Sequence, residues 1–220
     1  MFKSILSIFL QENCPLCERA TTEEVCQYCQ KQLKSCQLKN PHASWQQDLP
    51  LFVWGKYDGK LKQAIAALKY DKNSQIGELL GFWLGEVWQN YSLINTKITP
   101  LVIPIPLHKN KEQIRGFNQA EIIARGFCQV TKYPLNKKGL IRIRQTKAMF
   151  NLATKEKEKN IKGAFKLGKS LENNPLSRPV LLVDDIYTTG TTVKEATRIL
   201  RNKGINVLGV VAVSTPRHLY

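Results

Sequence analysis

Within nine residues the chain places two acids, four threonines and a glycine: Asp184, Asp185, Thr188, Thr189, Gly190, Thr191 and Thr192. They follow the apolar run "VLLV" directly and lead into a helical pattern. Ligands of open α/β sheets bind outside the carboxyl ends of the strands, which is where these acids would stand. Gly190 lets the chain turn tightly. The amides and hydroxyls of the threonines then face the start of the next helix, whose unpaired amides and positive partial charge suit a phosphate. The loop is not a Walker motif, because no lysine follows a second glycine. Paired carboxylates beside a phosphate seat suit a sugar phosphate, the acids taking ribose hydroxyls directly or through Mg²⁺. A capped turn with solvated acids would need one threonine, not four.

A second group lies near the start. "CPLC" and "CQYC" pair Cys14 with Cys17 and Cys26 with Cys29. Each C-x2-C can present two thiolates to one metal, and two such knuckles give the tetrahedral sulfur site that suits structural Zn²⁺. Disulfides are the competing reading, disfavoured by the cytoplasmic location expected below. Four thiolates leave no open coordination position, so the expected role is structural. Cys36 and Cys128 have no partner at ligand spacing.

The elements that must position these groups read as alternating strands and helices. "LFVWGKY" and "LVIPIP" predict strands, as do "VLLVD" and "INVLGVVAV". Asp58 is a plausible N-cap for a helix with Leu61, Ile65 and Leu68 on one face, and Ser74 opens another with Ile76, Leu80, Trp83, Leu84 and Val87. Asn118 and Glu121 form an N-x-x-E pair ahead of Ala120, Ile123, Ala124 and Phe127. A further helix runs from about Thr192 to Lys203 and ends at Gly204. The segment from Arg142 to Lys162 reads as a long mobile loop. This order predicts an α/β fold, a mostly parallel sheet flanked by helices, with a small N-terminal four-cysteine module. The expected division is 1–45 for the N-terminal helix and zinc module and 46–220 for the α/β domain.

Charge sets the class of partner. With 33 basic and 17 acidic residues among 220, the net charge is +16, and residues 101–178 hold 17 Lys/Arg against 5 Asp/Glu. A solvated basic face is the bland account; an anionic partner, nucleic acid or phosphorylated substrate, is the better one. "MFKSILSIFL" is too short in apolar run for a signal peptide and has no small-residue cleavage site, so a short docking helix is expected. No run reaches the roughly 18 apolar residues of a spanning helix. The expected location is cytoplasmic.

"VLLVDDIYTTGTT" closely resembles the signature for phosphoribosyl pyrophosphate (PRPP) binding in type I phosphoribosyltransferases. Together with "IPIPLHKNKEQIRGFNQAEIIA", "YDGKLKQAIAALKY" and the paired cysteines, the chain is similar over nearly its whole length to the ComF/GntX family. That resemblance implies a type I phosphoribosyltransferase fold, with Asp184 and Asp185 on the ribose hydroxyls of PRPP and Thr188 to Thr192 on its 5′-phosphate. It implies a pyrophosphate loop around Leu107 and His108, with Arg115 and Lys69 as cations facing the leaving group. His108 reads equally as a surface or packing residue. The segment holding Met149 and Lys157 would be the closing loop. Glutamine and arginine are common in the family near those places, and a lysine lacks arginine's bidentate fork.

The implied chemistry is Mg²⁺-dependent displacement of pyrophosphate from the anomeric carbon by a nitrogen nucleophile, in a protein acting on or with single-stranded DNA during DNA uptake. Trp45, Trp54 and Tyr57 are candidate stacking aromatics for such DNA, and competence-machinery proteins are possible partners. The alternatives are a metabolic phosphoribosyltransferase making a nucleotide from an unknown base, and a non-enzymatic PRPP-sensing module.

Overall fold

The computed structural model describes residues 12–45, 48–91, 99–146, 154–172 and 176–216. The expected N-terminal docking helix and Met149 lie outside the described residues, as does the side chain of Lys157. In chain order the elements are β1 (Glu12–Asn13), β2 (Ala20–Thr21), α1 (Gln27–Lys34), β3 (Leu51–Lys56), α2 (Gly59–Tyr70), α3 (Ser74–Gln89), β4 (Leu101–Pro104) and α4 (Lys109–Arg115). Then come α5 (Gln119–Thr131), β5 (Leu140–Arg142), α6 (Thr154–Ile161), β6 (Phe165–Leu167), α7 (Lys169–Glu172), β7 (Val180–Ile186), α8 (Thr191–Arg201) and β8 (Val207–Thr215).

The central sheet has the order β3-β8-β7-β4, with every pairing parallel. Its strands are apolar almost throughout because both faces are covered. Alternate residues point to opposite faces. Phe52, Trp54, Leu181, Val183, Val211 and Val213 meet α2, α3 and α5 on one face. Leu51, Val53, Val180, Leu182, Val210 and Ala212 face α8, α7 and the antiparallel β5–β6 pair on the other. Among the described residues, no helix is long and apolar enough to cross a membrane.

Open edges of a sheet invite pairing with other chains, and here both are covered. Gln37 to Ser44 runs antiparallel beside β3, with Leu38 donating to the Trp54 carbonyl and Lys56 to that of Cys36. Pro134 to Asn136 lies beside β4, where Val102 donates to the Pro134 carbonyl and Asn136 to that of Val102. The first of these segments ties the cysteine module to the sheet. Cys14, Val25, Cys29 and Leu33 belong to the same buried cluster as Phe52 and Trp54. The cysteine module and the sheet therefore share one buried cluster.

The helix starts follow their side chains. Asp58 accepts from the Gly59 amide at 2.8 Å to cap α2. Asn118 accepts from the Ala120 amide at 3.1 Å to cap α5, and its amide nitrogen donates to the Ile105 carbonyl. Glu121 does not complete the expected reciprocal box; its carboxylate pairs with Lys137 at 3.0 Å. The expected loop from Arg142 to Lys162 includes α6, a helix whose weak periodicity hid it. Trp54 is 1% exposed, stacked beside Trp83, and so is core rather than a nucleic-acid platform. Trp45 packs edge-on against Trp88.

Among the described elements, α3 and α5 are the most closely packed pair. Gly77, Gly81 and Gly85 recur every fourth residue of α3 and line the face against α5. A Cβ at Gly81 would lie 2.1 Å from the Ile123 carbonyl oxygen, and one at Gly126 would lie 2.3 Å from that of Glu78. Backbone cannot yield as a side chain does, so even one methyl group must push the helices apart. Gly81→Ala should cost at least the ~1–3 kcal/mol of an overpacked core. Thermal unfolding should show it as a drop of several degrees, and an unchanged midpoint would mean that the helices are less tightly apposed.

Candidate active site

The site forms where β4 and β7, adjacent and parallel, end on the same side of the sheet. Ile105, Pro106 and Leu107 leave β4 without forming a helix at once, and Asp184 and Asp185 close β7. Between them is a cavity of about 240 Å³, lined also by Lys69 of α2, Lys111 and Arg115 of α4, Gln119 of α5, Arg142 and Thr146 from the end of β5 onward, and Thr188 and Thr192.

The two acids face different surroundings. Lys69 Nζ lies 2.7 Å from the Asp185 carboxylate, with both side chains largely buried. Burial alone would raise the Asp185 carboxyl, but the Lys69 ammonium outweighs it and holds the acid below its ordinary range. The same pairing raises Lys69 despite its burial. Asp184 has no such partner. Burial first, and then the neighbouring Asp185 charge, push it well above the ordinary carboxylate value. Each carboxylate also accepts the next backbone amide, Asp184 from Asp185 at 2.9 Å and Asp185 from Ile186 at 2.7 Å. These bonds fix the rotamers of both acids.

Gly190 has φ +78°, and a Cβ there would lie 2.4 Å from the Tyr187 hydroxyl. That left-handed step lets the loop turn into α8. Thr188 and Thr192 reach the cavity wall, while the Thr189 and Thr191 hydroxyls bond each other at 3.1 Å. Leu107 lines the cavity. His108 is placed otherwise: its Nδ1 accepts the Asn110 amide at 3.3 Å, so the ring caps α4. Arg115 lines the cavity and donates to Gln119 at 2.7 Å.

Arg142, Lys111 and Thr146 were not among the residues singled out from sequence. Arg142 donates to the Thr146 hydroxyl, while its buried Nε has no hydrogen-bond partner. Burial lowers the pKa of the guanidinium. Lys111 is lowered too, by burial first and then by Arg142 and Arg115. A readable signal was the alternation in "LIRIR", which sets Leu140 and Arg142 on one side of a strand.

The four cysteines converge at the far end of α2. Their sulfurs all lie within 4.8 Å of one another, and Cys17 and Cys26 are 3.5 Å apart. A Zn–S bond of about 2.3 Å implies S···S separations near 3.8 Å, so the donor set fits a tetrahedral metal. All four are free thiols, which leaves the disulfide reading without a bond. The Cys14 carbonyl accepts from the Cys17 and Glu18 amides, the tight turn a metal knuckle needs. Burial and the neighbouring thiols raise the Cys29 thiol strongly, a penalty that a bound cation would reverse.

Asp184 is an acid whose folded value lies above its unfolded one, so the fold binds more protons than the unfolded chain between those two values. Its sign is therefore a loss of stability as pH rises through that window. Asp184→Asn removes the buried charge while keeping an acceptor for the Asp185 amide. The ligand-free variant should melt higher than the parent at neutral pH, by about 2–4 °C per kcal/mol relieved, with the gain vanishing in acid. A lower midpoint at neutral pH would show that the Asp184 charge is satisfied.

A family model described as the phosphoribosyl transferase domain matches residues 115–220, which hold both acids, the threonine loop and Arg142. Competence protein F of Haemophilus influenzae is 27% identical over 210 residues, covering 84% of this chain and 88% of that protein. DNA utilization protein YhgH of Escherichia coli is 26% identical over 201 residues, covering 87% and 85%. Competence protein ComFC of Bacillus subtilis is 27% identical over 152 residues, covering 67% of this chain and 56% of that protein. Two of these alignments span more than four-fifths of both chains. With its cavity at the carboxyl ends of β4 and β7 and its four-cysteine cluster packed on the same core, the chain carries a phosphoribosyl transferase domain over residues 115–220 and is similar over most of its length to competence protein F and DNA utilization protein YhgH.

Proposed function

We propose that the cavity binds PRPP together with Mg²⁺, and that the protein acts on or with single-stranded DNA in DNA uptake. The observation that carries the first part is electrostatic. Arg142, Lys111 and Arg115 crowd one wall, the first with an unpartnered buried Nε and the second with its pKa depressed. Three cations converging on one cavity, one of them with a buried unpartnered nitrogen, favour an anion between them. Asp184, Asp185, Thr188 and Thr192 line the same cavity. A pyrophosphate on the cations, a ribose on the acids and a 5′-phosphate on Thr188 to Thr192 satisfies each group with its complement. The competence and DNA-utilization names of the relatives support the second part.

In turnover, the C1–O bond to pyrophosphate breaks with the electron pair leaving on oxygen, and a nitrogen nucleophile forms the new bond at C1. Positive charge develops on the ribose while negative charge grows on the leaving group. Arg142, Lys111 and Arg115 are fixed before the reaction begins, so they stabilise that charge without reorganising. Mg²⁺ bound with the pyrophosphate would supply further positive charge to the same oxygens. Lys69 has a different task. By pairing with Asp185 it keeps that acid ionised, and it leaves Asp184 as the group whose charge a ligand must compensate.

Zinc is the metal proposed for Cys14, Cys17, Cys26 and Cys29. The closed thiolate set makes it structural, holding the segment that covers β3.

Titration calorimetry with PRPP and Mg²⁺ tests the cavity. Asp184→Asn with Asp185→Asn should abolish binding, and Arg142→Met should weaken it on the order of 10- to 100-fold, the worth of a charged hydrogen bond. Undiminished affinity in both would show the site is elsewhere. Pyrophosphate release across a panel of bases and DNA then decides whether bound PRPP is consumed. For the metal, one zinc per chain with sulfur-only coordination is expected by X-ray absorption. Chelation should lower the melting temperature, and equal stability with and without the ion would rule out a structural role.

A further inference from the structure

Beside the PRPP cavity lies a second cleft, of about 260 Å³, between the C-terminal end of α2 and the outer face of α4. It is lined by Lys69, Tyr70, Lys72, Lys111, Ile114 and Arg115, four cations and no acid. Lys69, Lys111 and Arg115 belong to both clefts. Tyr70 and Ile114 are 73% and 75% exposed, the two most exposed large apolar side chains among the described residues. The Arg115 guanidinium sits 5.8 Å from the Tyr70 ring centroid, which steadies the ring while leaving most of it in water.

Lys72 adds an independent observation. Its φ is +55°, in the left-handed region where glycine rests easily and lysine does not. The chain thus holds a lysine at a turn that a glycine would make with less strain, and that turn places its side chain in this cleft.

We propose that this cleft is the track for single-stranded nucleic acid: a base stacks on Tyr70 against Ile114, and the flanking phosphates meet Lys72 and Lys111. The assignment rests on the nucleic-acid part of the function proposed above. An exposed ring bordered by cations and free of acids matches the two needs of such a strand, a π-face for the base and positive charge for the backbone. A duplex keeps its bases inside and gives Tyr70 nothing to stack on. The shared cations place the strand next to the PRPP cavity, so that a nucleotide on Tyr70 lies beside the pyrophosphate wall rather than on a remote face.

The test is fluorescence anisotropy with a labelled oligothymidylate of about 15 nucleotides, run over a series of salt concentrations on the intact protein. Tyr70→Ser should weaken binding on the order of 5- to 100-fold, the range for one lost base stack. Ile114→Ser should weaken it less. Lys72→Gly should reduce the salt slope by about 0.7, the share of one phosphate contact on a single strand, without lowering the melting temperature. PRPP affinity should be unchanged in all three, since none lines the PRPP cavity. Wild-type binding that survives Tyr70→Ser and Lys72→Gly intact would overturn the track while leaving the DNA reading in place. Failure of the wild type to bind even at low salt would overturn both. Equal competition by polyglutamate or by duplex DNA would show a general polyanion surface and would also overturn the track.

Discussion

The structure is organised around charge held at the carboxyl end of a parallel sheet. Lys69, 2.7 Å from Asp185, is the contact on which the rest of the site depends. Two adjacent carboxylates at the end of a buried strand repel each other and are poorly hydrated, and without a cation neither would ionise readily. Lys69 ionises one and leaves the other strained. It reaches the acids only because α2 lies along the sheet face with Leu61, Ala64, Ile65 and Leu68 buried beneath it. The lysine is thus presented by a helix whose buried face is apolar.

That packing explains features remote from the chemistry. α3 and α5 approach closely enough for glycines to be obligatory at their crossing, and α5 begins at Asn118, whose side chain bonds the Ile105 carbonyl in the loop that lines the cavity. A shift of α5 would therefore move the loop after β4 directly. On the other face, Glu195 of α8 is buried and accepts the Gly163 amide at 2.7 Å, held in place by Arg198. It joins the helix that carries the threonine loop to the segment leading into β6, whose partner strand β5 ends at Arg142. Both walls of the cavity are tied in this way to helices that also bury the sheet.

How much of this the sequence carries depends on the range of the interaction. The parallel strands, the acids with their threonine loop and the paired cysteines are local patterns, each legible because the physical need and the residues meeting it fall within a dozen positions. Asn118 as a cap was legible for the same reason. Arg142 was not, because its role comes from the β5–β6 pairing, which brings it beside α4 only in three dimensions. The glycines of α3 recur every four residues, yet a helical stripe of glycines gives no sign of which neighbour approaches it. Trp54 shows the opposite failure. An aromatic in a basic chain suggests base stacking, but an alternating strand sends every second side chain into the core, and burial decides against it.

The basic excess also divides by environment, and this bears on the two anionic ligands proposed above. Lys69 and Arg142 are largely buried, and their charges are meaningful only against a ligand or an acid at contact distance. Screening by salt reaches them little. Lys72 and the outer faces of Lys111 and Arg115 look onto solvent, where attraction is long-ranged, weak per contact and salt-sensitive. A compact phosphorylated sugar needs the first kind of charge, because its phosphates must be fixed to within a fraction of an ångström for displacement to proceed. A flexible strand needs the second, because it is captured by many weak contacts and must be able to slide. Lys111 and Arg115 stand on the border between the two, so filling the cavity with pyrophosphate lowers the positive potential that the outer cleft presents. On electrostatic grounds alone, PRPP and a nucleic-acid strand should therefore weaken each other's binding unless the strand's base makes its own contact with the bound sugar phosphate.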